Sequence, residues 1–159
     1  MRLFWIQAML VAAVFNSTLG CGHRGSPERN KTIARMVFED VLNHGKWDVY
    51  ERIHAPDFVA HAGKRTEGRA EDLESAKGWR NAMPDLVVTI DHMVAEGDLV
   101  AVQWTGRGTN TGTGNGLPAT GKRLEVQGIT IFRIVDGKIV EEWNSIDELG
   151  LMRQLGMLS

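Results

Sequence analysis

Apolar residues recur along this chain with two periods. Over residues 27–45, Ile33, Met36, Val37, Val41 and Leu42 fall at helical spacing, and Gly45 supplies a stop. Asp48 begins a second short helix, with Val49, Tyr50 and Ile53 on its inner side, ended by Ala55-Pro56-Asp57. Phe58-Val59-Ala60-His61 reads as a short strand. A third helix follows Gly68-Arg69, carries Leu73, Ala76, Trp79 and Met83 on one side, and stops at Pro84. From Leu86 the period falls to two. Val88, Ile90, His92 and Val94 share a face over residues 86–95, and Val100, Val102 and Trp104 share one over 99–109, with Gly97-Asp98 as the turn between. Residues 108–121 are rich in Gly, Thr and Asn and read as a connection. Residues 122–135 and 138–146 form a hairpin through Asp136-Gly137, a pair suited to a type I′ turn. Three N-terminal helices followed by a meander of long strands predict an α+β fold, its antiparallel sheet curled over the helices to bury an apolar face.

The first twenty residues follow neither period. Arg2 supplies one positive charge, residues 3–15 are apolar except for Gln7, and residues 16–20 turn polar and small. That run is too short for a bilayer core of about 30 Å, which takes about 20 residues, and has the flanks of a secretory signal. Cys21, the sole cysteine, follows Gly20 as in a bacterial lipoprotein signal, although Thr18 stands where an aliphatic residue is usual. The expected organisation is a signal over 1–21 with Cys21 lipidated, a tether over 22–28 and a domain over 29–156. The protein is then an exported envelope lipoprotein touching the membrane through its anchor alone. The alternative is a plainly cleaved signal and an incidental cysteine.

Composition excludes several function classes. At 159 residues, 43% hydrophobic and 24% charged, the chain suits one soluble domain with a real core. A net charge of -2 and scattered basic residues argue against nucleic acid. The five histidines show no H-x-x-x-H spacing, so no metal is expected. Residues 116–122 match P-loop spacing up to Lys122. Arg123 then stands where Ser or Thr must bind magnesium, and the segment runs from loop into strand rather than into a helix, so nucleotide binding is rejected.

Ala55-Pro56-Asp57-Phe58, Met83-Pro84-Asp85-Leu86, Gly106-Arg107-Gly108-Thr109 and the block over 133–156 recur here in a familiar element order. The most specific pieces are Arg133-Ile134-Val135-Asp136-Gly137-Lys138-Ile139 and Arg153-Gln154-Leu155-Gly156. Over residues 29–156 the chain resembles the SnoaL-like polyketide cyclases and ester cyclases of the nuclear transport factor 2-like superfamily. The resemblance implies a cone-shaped α+β barrel enclosing a deep apolar pocket for a small apolar or aromatic molecule, no cofactor, and homodimers formed through the sheet. It also implies an intramolecular aldol reaction in which a pocket carboxylate shuttles a proton. An ungapped alignment sets the cyclases' catalytic aspartate at Asn144, and an amide cannot usefully accept a proton.

The candidate catalytic groups are therefore Glu142, Asp147 and His61. Glu141 and Glu142 point to opposite faces, so at most one reaches a pocket, and each is equally readable as a solvated strand end. Asp147 either serves the pocket or caps the last helix. His61 either reaches the cavity mouth, as a base or as a partner of Asp147, or is exposed. Trp104, Trp143, Asn144, Phe58, Met36 and Phe132 are candidate ligand-binding residues, each aromatic being equally suited to the core. His92 is either a buried histidine or a second pocket group, and His54 reads as structural. Three functions stay open: a cofactor-free cyclase, isomerase or hydrolase; a non-catalytic ligand-binding module of the envelope; and a dimerising interaction domain.

Overall fold

A computed structural model describes residues 26–158; the expected signal segment, Cys21 and most of the expected tether lie outside these described residues. Helix α1 (Pro27–Met36) starts where the Ser26 hydroxyl accepts from the Arg29 amide at 3.3 Å and Pro27 presets the first turn. It widens into a π-helical stretch, Val37–Leu42, burying Phe38 and Val41. Helix α2 is Trp47–Ile53, β1 is His54–Ala62, β2 is Arg65–Gly68 and α3 is Arg69–Ala82. Strands β3 (Val87–Glu96), β4 (Leu99–Thr109), β5 (Arg123–Val135) and β6 (Lys138–Ile146) follow, and α4 (Glu148–Leu155) closes the order. The β5–β6 hairpin turns on Asp136 (φ 50°) and Gly137 (φ 79°), the two positive angles of a type I′ turn.

The strands form one sheet in the order β2-β1-β6-β5-β4-β3. It is open, with β2 and β3 as edges, and so is not the closed barrel implied by the resemblance. It is also mixed, because β1 runs parallel to β6 while the other neighbours are antiparallel. Strand β1, the first in the chain, starts with His54 beside Ile139 and runs with β6. The expected strand over 58–61 is accordingly longer.

A bulge corrects the face assignment on β3. Ile90 pairs with Trp104, but His92 pairs with Gln103, so Asp91 is an extra residue and the alternation reverses. Met93 and Ala95 then pack on the core, Val94 is 66% exposed, and His92 is exposed on the outer face. His92 is therefore not a pocket group.

The connection between β4 and β5 is tied down. The Asn110 side chain, fully buried, donates to the carbonyls of Ala82 (3.2 Å) and Gly112 (3.1 Å) and accepts from the Thr120 amide (3.0 Å) and hydroxyl (2.7 Å). The glycines of this loop allow it to lie on α3: a Cβ at Gly114 would fall 2.0 Å from the Gly78 carbonyl oxygen, and one at Gly112 2.0 Å from that of Asn81. Leu117 is thereby fixed against the core. Asn110→Ala removes four bonds from one buried amide, and we expect it to destabilise the fold by about 2–3 kcal/mol with an unchanged m-value in urea. A loss under about 0.5 kcal/mol, the range of a neutral surface change, would show that the loop is not held by this residue.

Candidate functional site

Register places the inward side chains of the sheet in rungs. Ala60, Glu142, Phe132 and Val100 form one, paired in that order across β1, β6, β5 and β4. Ala62, Asn144, Thr130 and Val102 form the next, and Ile146, Gly128 and Trp104 the third. Small side chains on β1 leave room in front of Glu142 and Asn144. Gly128 does the same for Trp104, because a Cβ there would lie 2.4 Å from the indole ring. Between this face and the helices lies a cavity of about 960 Å³. Its walls are mostly apolar and aromatic, with Phe38 tilted on Trp104 (ring centroids 6.4 Å) and edge-on to Phe132 (6.0 Å).

Of the carboxyl groups that line this cavity, burial pushes two upward. Glu142 is 5% exposed, and burial, helped by the Asp72 charge, pushes its carboxyl well above the ordinary range. It ends a one-way hydrogen-bond relay. The Trp104 indole N–H donates to the Thr130 hydroxyl (3.0 Å), that hydroxyl donates to Asn144 Oδ1 (2.6 Å), and Asn144 Nδ2 donates to Glu142 Oε1. Asn144 is thus a support for the neighbouring acid.

The second carboxyl is Asp72, in the first turn of α3. Burial raises it from 3.8 to about 6, against the lowering effect of a hydrogen bond from Tyr50. The Tyr50 hydroxyl lies 2.8 Å from Asp72 Oδ2 and 2.9 Å from the Arg69 carbonyl oxygen. Tyr50 itself is buried, and desolvation with the Asp72 charge raises its hydroxyl far beyond the physiological range. His54 stacks on Tyr50 (ring centroids 3.9 Å), and its Nδ1 donates to the Tyr50 carbonyl oxygen at 2.9 Å. Burial lowers His54 to about 4, so the ring is neutral.

Among the expected site residues, Glu142, Asn144, Trp104 and Phe132 meet at this cavity. Asp147 stands exposed at its rim and caps α4, accepting from the Gly150 amide at 2.8 Å. His61 and Trp143 do not reach it. They are cross-strand neighbours on the outer face, stacked at 5.5 Å, where His61 Nε2 bonds Glu141 Oε1 (2.9 Å) and Arg133 covers the indole at 5.4 Å. Both are odd-numbered positions beside inward Ala60, Ala62, Glu142 and Asn144, so the pleat turns them outward. Phe58 and Met36 belong to the core rather than the cavity wall; Phe58 packs edge-on against His54 at 4.8 Å.

Asp72, Tyr50 and Thr130 were not among the expected site residues. A signal for Asp72 exists: with Ala76, Trp79 and Met83 it falls at i, i+4, i+7 and i+11, a carboxyl opening an apolar helical stripe. Thr130 is the polar residue on the inward alternation of β5.

A sequence profile for the SnoaL-like polyketide cyclase family matches residues 32–155. Among characterised proteins, the chain is 47% identical over 49 residues to the aklanonic acid methyl ester cyclases DnrD of Streptomyces peucetius and DauD of Streptomyces sp. (strain C5). Those matches cover 31% of this chain and only 34% and 30% of the relatives. Among solved structures it resembles TsrD from Streptomyces laurentii (29% identity, TM-score 0.74, covering 82% of this chain and 97% of that one). It also resembles AclR from Streptomyces galilaeus (28% identity, TM-score 0.76, covering 84% of each).

The Asp72 environment makes a pH prediction. The folded chain holds this proton more tightly than the unfolded chain, so the stabilisation is complete below pH 3.8 and is lost as pH rises to about 6. Measured by urea midpoints, the stability of the protein relative to its Asp72→Asn variant should fall across that window and level off above it. A relative stability that rises with pH there would refute the assignment.

Proposed function

The chain belongs to the SnoaL-like polyketide cyclase family, and we propose that it is a cofactor-independent acid–base catalyst of the cyclase type, acting on a small apolar carbonyl compound held in its cavity. The observation that carries this reading is the pair of raised carboxyls, Asp72 and Glu142, lining one apolar enclosure. Asp72 removes a proton from the carbon beside a carbonyl. That carbon bonds to a second carbonyl carbon of the same molecule, and Glu142 gives its proton to the oxygen that gains charge. Asp72 has gained one proton and Glu142 has lost one, so transfer between them restores the site. The relay from Trp104 through Thr130 and Asn144 fixes the acid in place. The cavity wall holds the chain folded, which lowers the entropic part of the barrier.

In this reading the leader and Cys21 carry the site to the cell envelope, and the outer sheet face, with Ile129 49% exposed, pairs with a second copy. A non-catalytic ligand-binding role is the second reading. It is favoured by Asn144, an amide where the cyclases' aspartate aligns.

Aklanonic acid methyl ester, the substrate in the relatives' names, and a simple aromatic β-keto ester are suitable probes. In deuterated water the protein should speed deuterium exchange at the acidic carbon, followed by NMR. Asp72→Asn should slow it by about 10²-fold or more, and Glu142→Gln should slow ring closure of the ester, followed in the same spectra, by a similar factor. Binding without exchange in the unaltered protein would leave the non-catalytic reading standing.

A further inference from the structure

Several hydrogen-bond donors of the cavity lining are already used, while one buried acceptor is not. The indole N–H of Trp104 and the hydroxyls of Thr130 and Tyr50 are spent on wall partners. His54 is 2% exposed, lines the cavity, and has no partner for Nε2. Its Nδ1 proton goes to the Tyr50 carbonyl oxygen, so Nε2 carries the lone pair and can only accept. An unmet buried acceptor is costly until a donor arrives.

Charge around the opening points the same way. Besides Asp72 and Glu142, the lining holds Glu67, Glu71, Glu74, Asp147 and Glu148, against Arg65 as its cation among the described residues. Arg65 lies 3.6 Å from Glu67, and Lys77 pairs with Glu74 at 2.7 Å. Glu71, Asp147 and Glu148 pair with no lysine or arginine among the described residues, and all three are exposed at the rim. An anion entering here meets repulsion from several carboxylates, and a cation is attracted by them.

Building on the small-molecule cavity above, we propose that its ligand is a hydrogen-bond donor bearing a protonated basic nitrogen on an apolar body. The apolar part lies against Trp104, Phe38 and Phe132. The ammonium sits among the rim carboxylates, and a ligand N–H or O–H completes His54 Nε2. Free carboxylic acids and phosphate-bearing carrier thioesters are disfavoured by the same charges.

Three probes with one ring system isolate the charge: naphthylethylamine, naphthylethanol and naphthylpropionate, titrated calorimetrically into the full chain at neutral pH and low salt. An exposed pair is worth less than about fivefold, so two or three together should favour the amine over the alcohol by about tenfold. The propionate should bind more weakly than the alcohol. The double variant Glu71→Gln/Glu148→Gln should cut the amine preference to about threefold or less and leave alcohol affinity unchanged. A propionate that binds as well as the amine, or a preference that survives the double variant, overturns this inference and spares the cavity. Failure of all three probes to bind overturns the cavity reading and this inference with it.

Discussion

The register of the Asp136-Gly137 hairpin is the constraint on which the site depends. With a side-chain period of two and one extra residue, Val140, bulged between Ile139 and Glu141, it sends Glu142 and Asn144 into the cavity and Glu141 and Trp143 to the outer face. A slip of one residue would exchange them. The two adjacent glutamates then meet opposite physics. Glu141, outside, accepts from His61 and Arg133 and is held below the usual carboxylate range. Glu142, inside, loses its water to Phe132 and Ala60 on the neighbouring strands and is pushed up. Chemically identical side chains are shifted in opposite directions through one choice of face.

The cavity is kept open by what the rungs omit. Ala60 and Ala62 on β1 contribute little volume beside the two polar residues, and Gly128 lets the Trp104 ring lie across β5. The far wall is supplied by the π-helical stretch, through Phe38 and Val41, and by α3 through Asp72 and Trp79. Helix α3 is itself fixed from both sides. Arg80 donates to the carbonyls of Leu42 (2.7 Å) and Asn43 (2.9 Å), satisfying the end of the first helical segment. On the other side, the glycine-rich loop packs on Gly78 and Asn81. The wall that carries Asp72 thus cannot shift without breaking buried backbone contacts.

Much of the fold was legible, because helical and alternating periods are long-range signals that local detail does not disturb. The three helices, the β5–β6 hairpin and the inward face of β4 follow from them directly. The misplaced residues have specific causes. His92 turned outward because the bulge at Asp91 adds one residue, and nothing in an alternating run of apolar residues marks where such an insertion falls. Trp143 reads as an inward aromatic, yet the outer face covers it with His61 and Arg133, so its size alone did not reveal its side. Asp72 reads as an ordinary acidic residue in a helix's first turn, where the dipole favours it. Its burial depends on Tyr50, brought beside it by the chain's return through β1.

Hydrogen counting shows what opposes burial at each of the two carboxyls. Tyr50 has one hydroxyl hydrogen and two acceptors within reach, Arg69 O and Asp72 Oδ2. An ionised Asp72 must share that hydrogen, so the bond that would depress its pKa is only partly available, and burial prevails by a moderate margin. Around Glu142 each donor is used once and all point the same way, from Trp104 to Thr130 to Asn144 to Oε1. The relay delivers one hydrogen bond to one oxygen of a nearly fully buried group, too little to offset its desolvation. The same enclosure therefore raises both carboxyls, and the number of donors each site can supply sets how far hydrogen bonding opposes burial there.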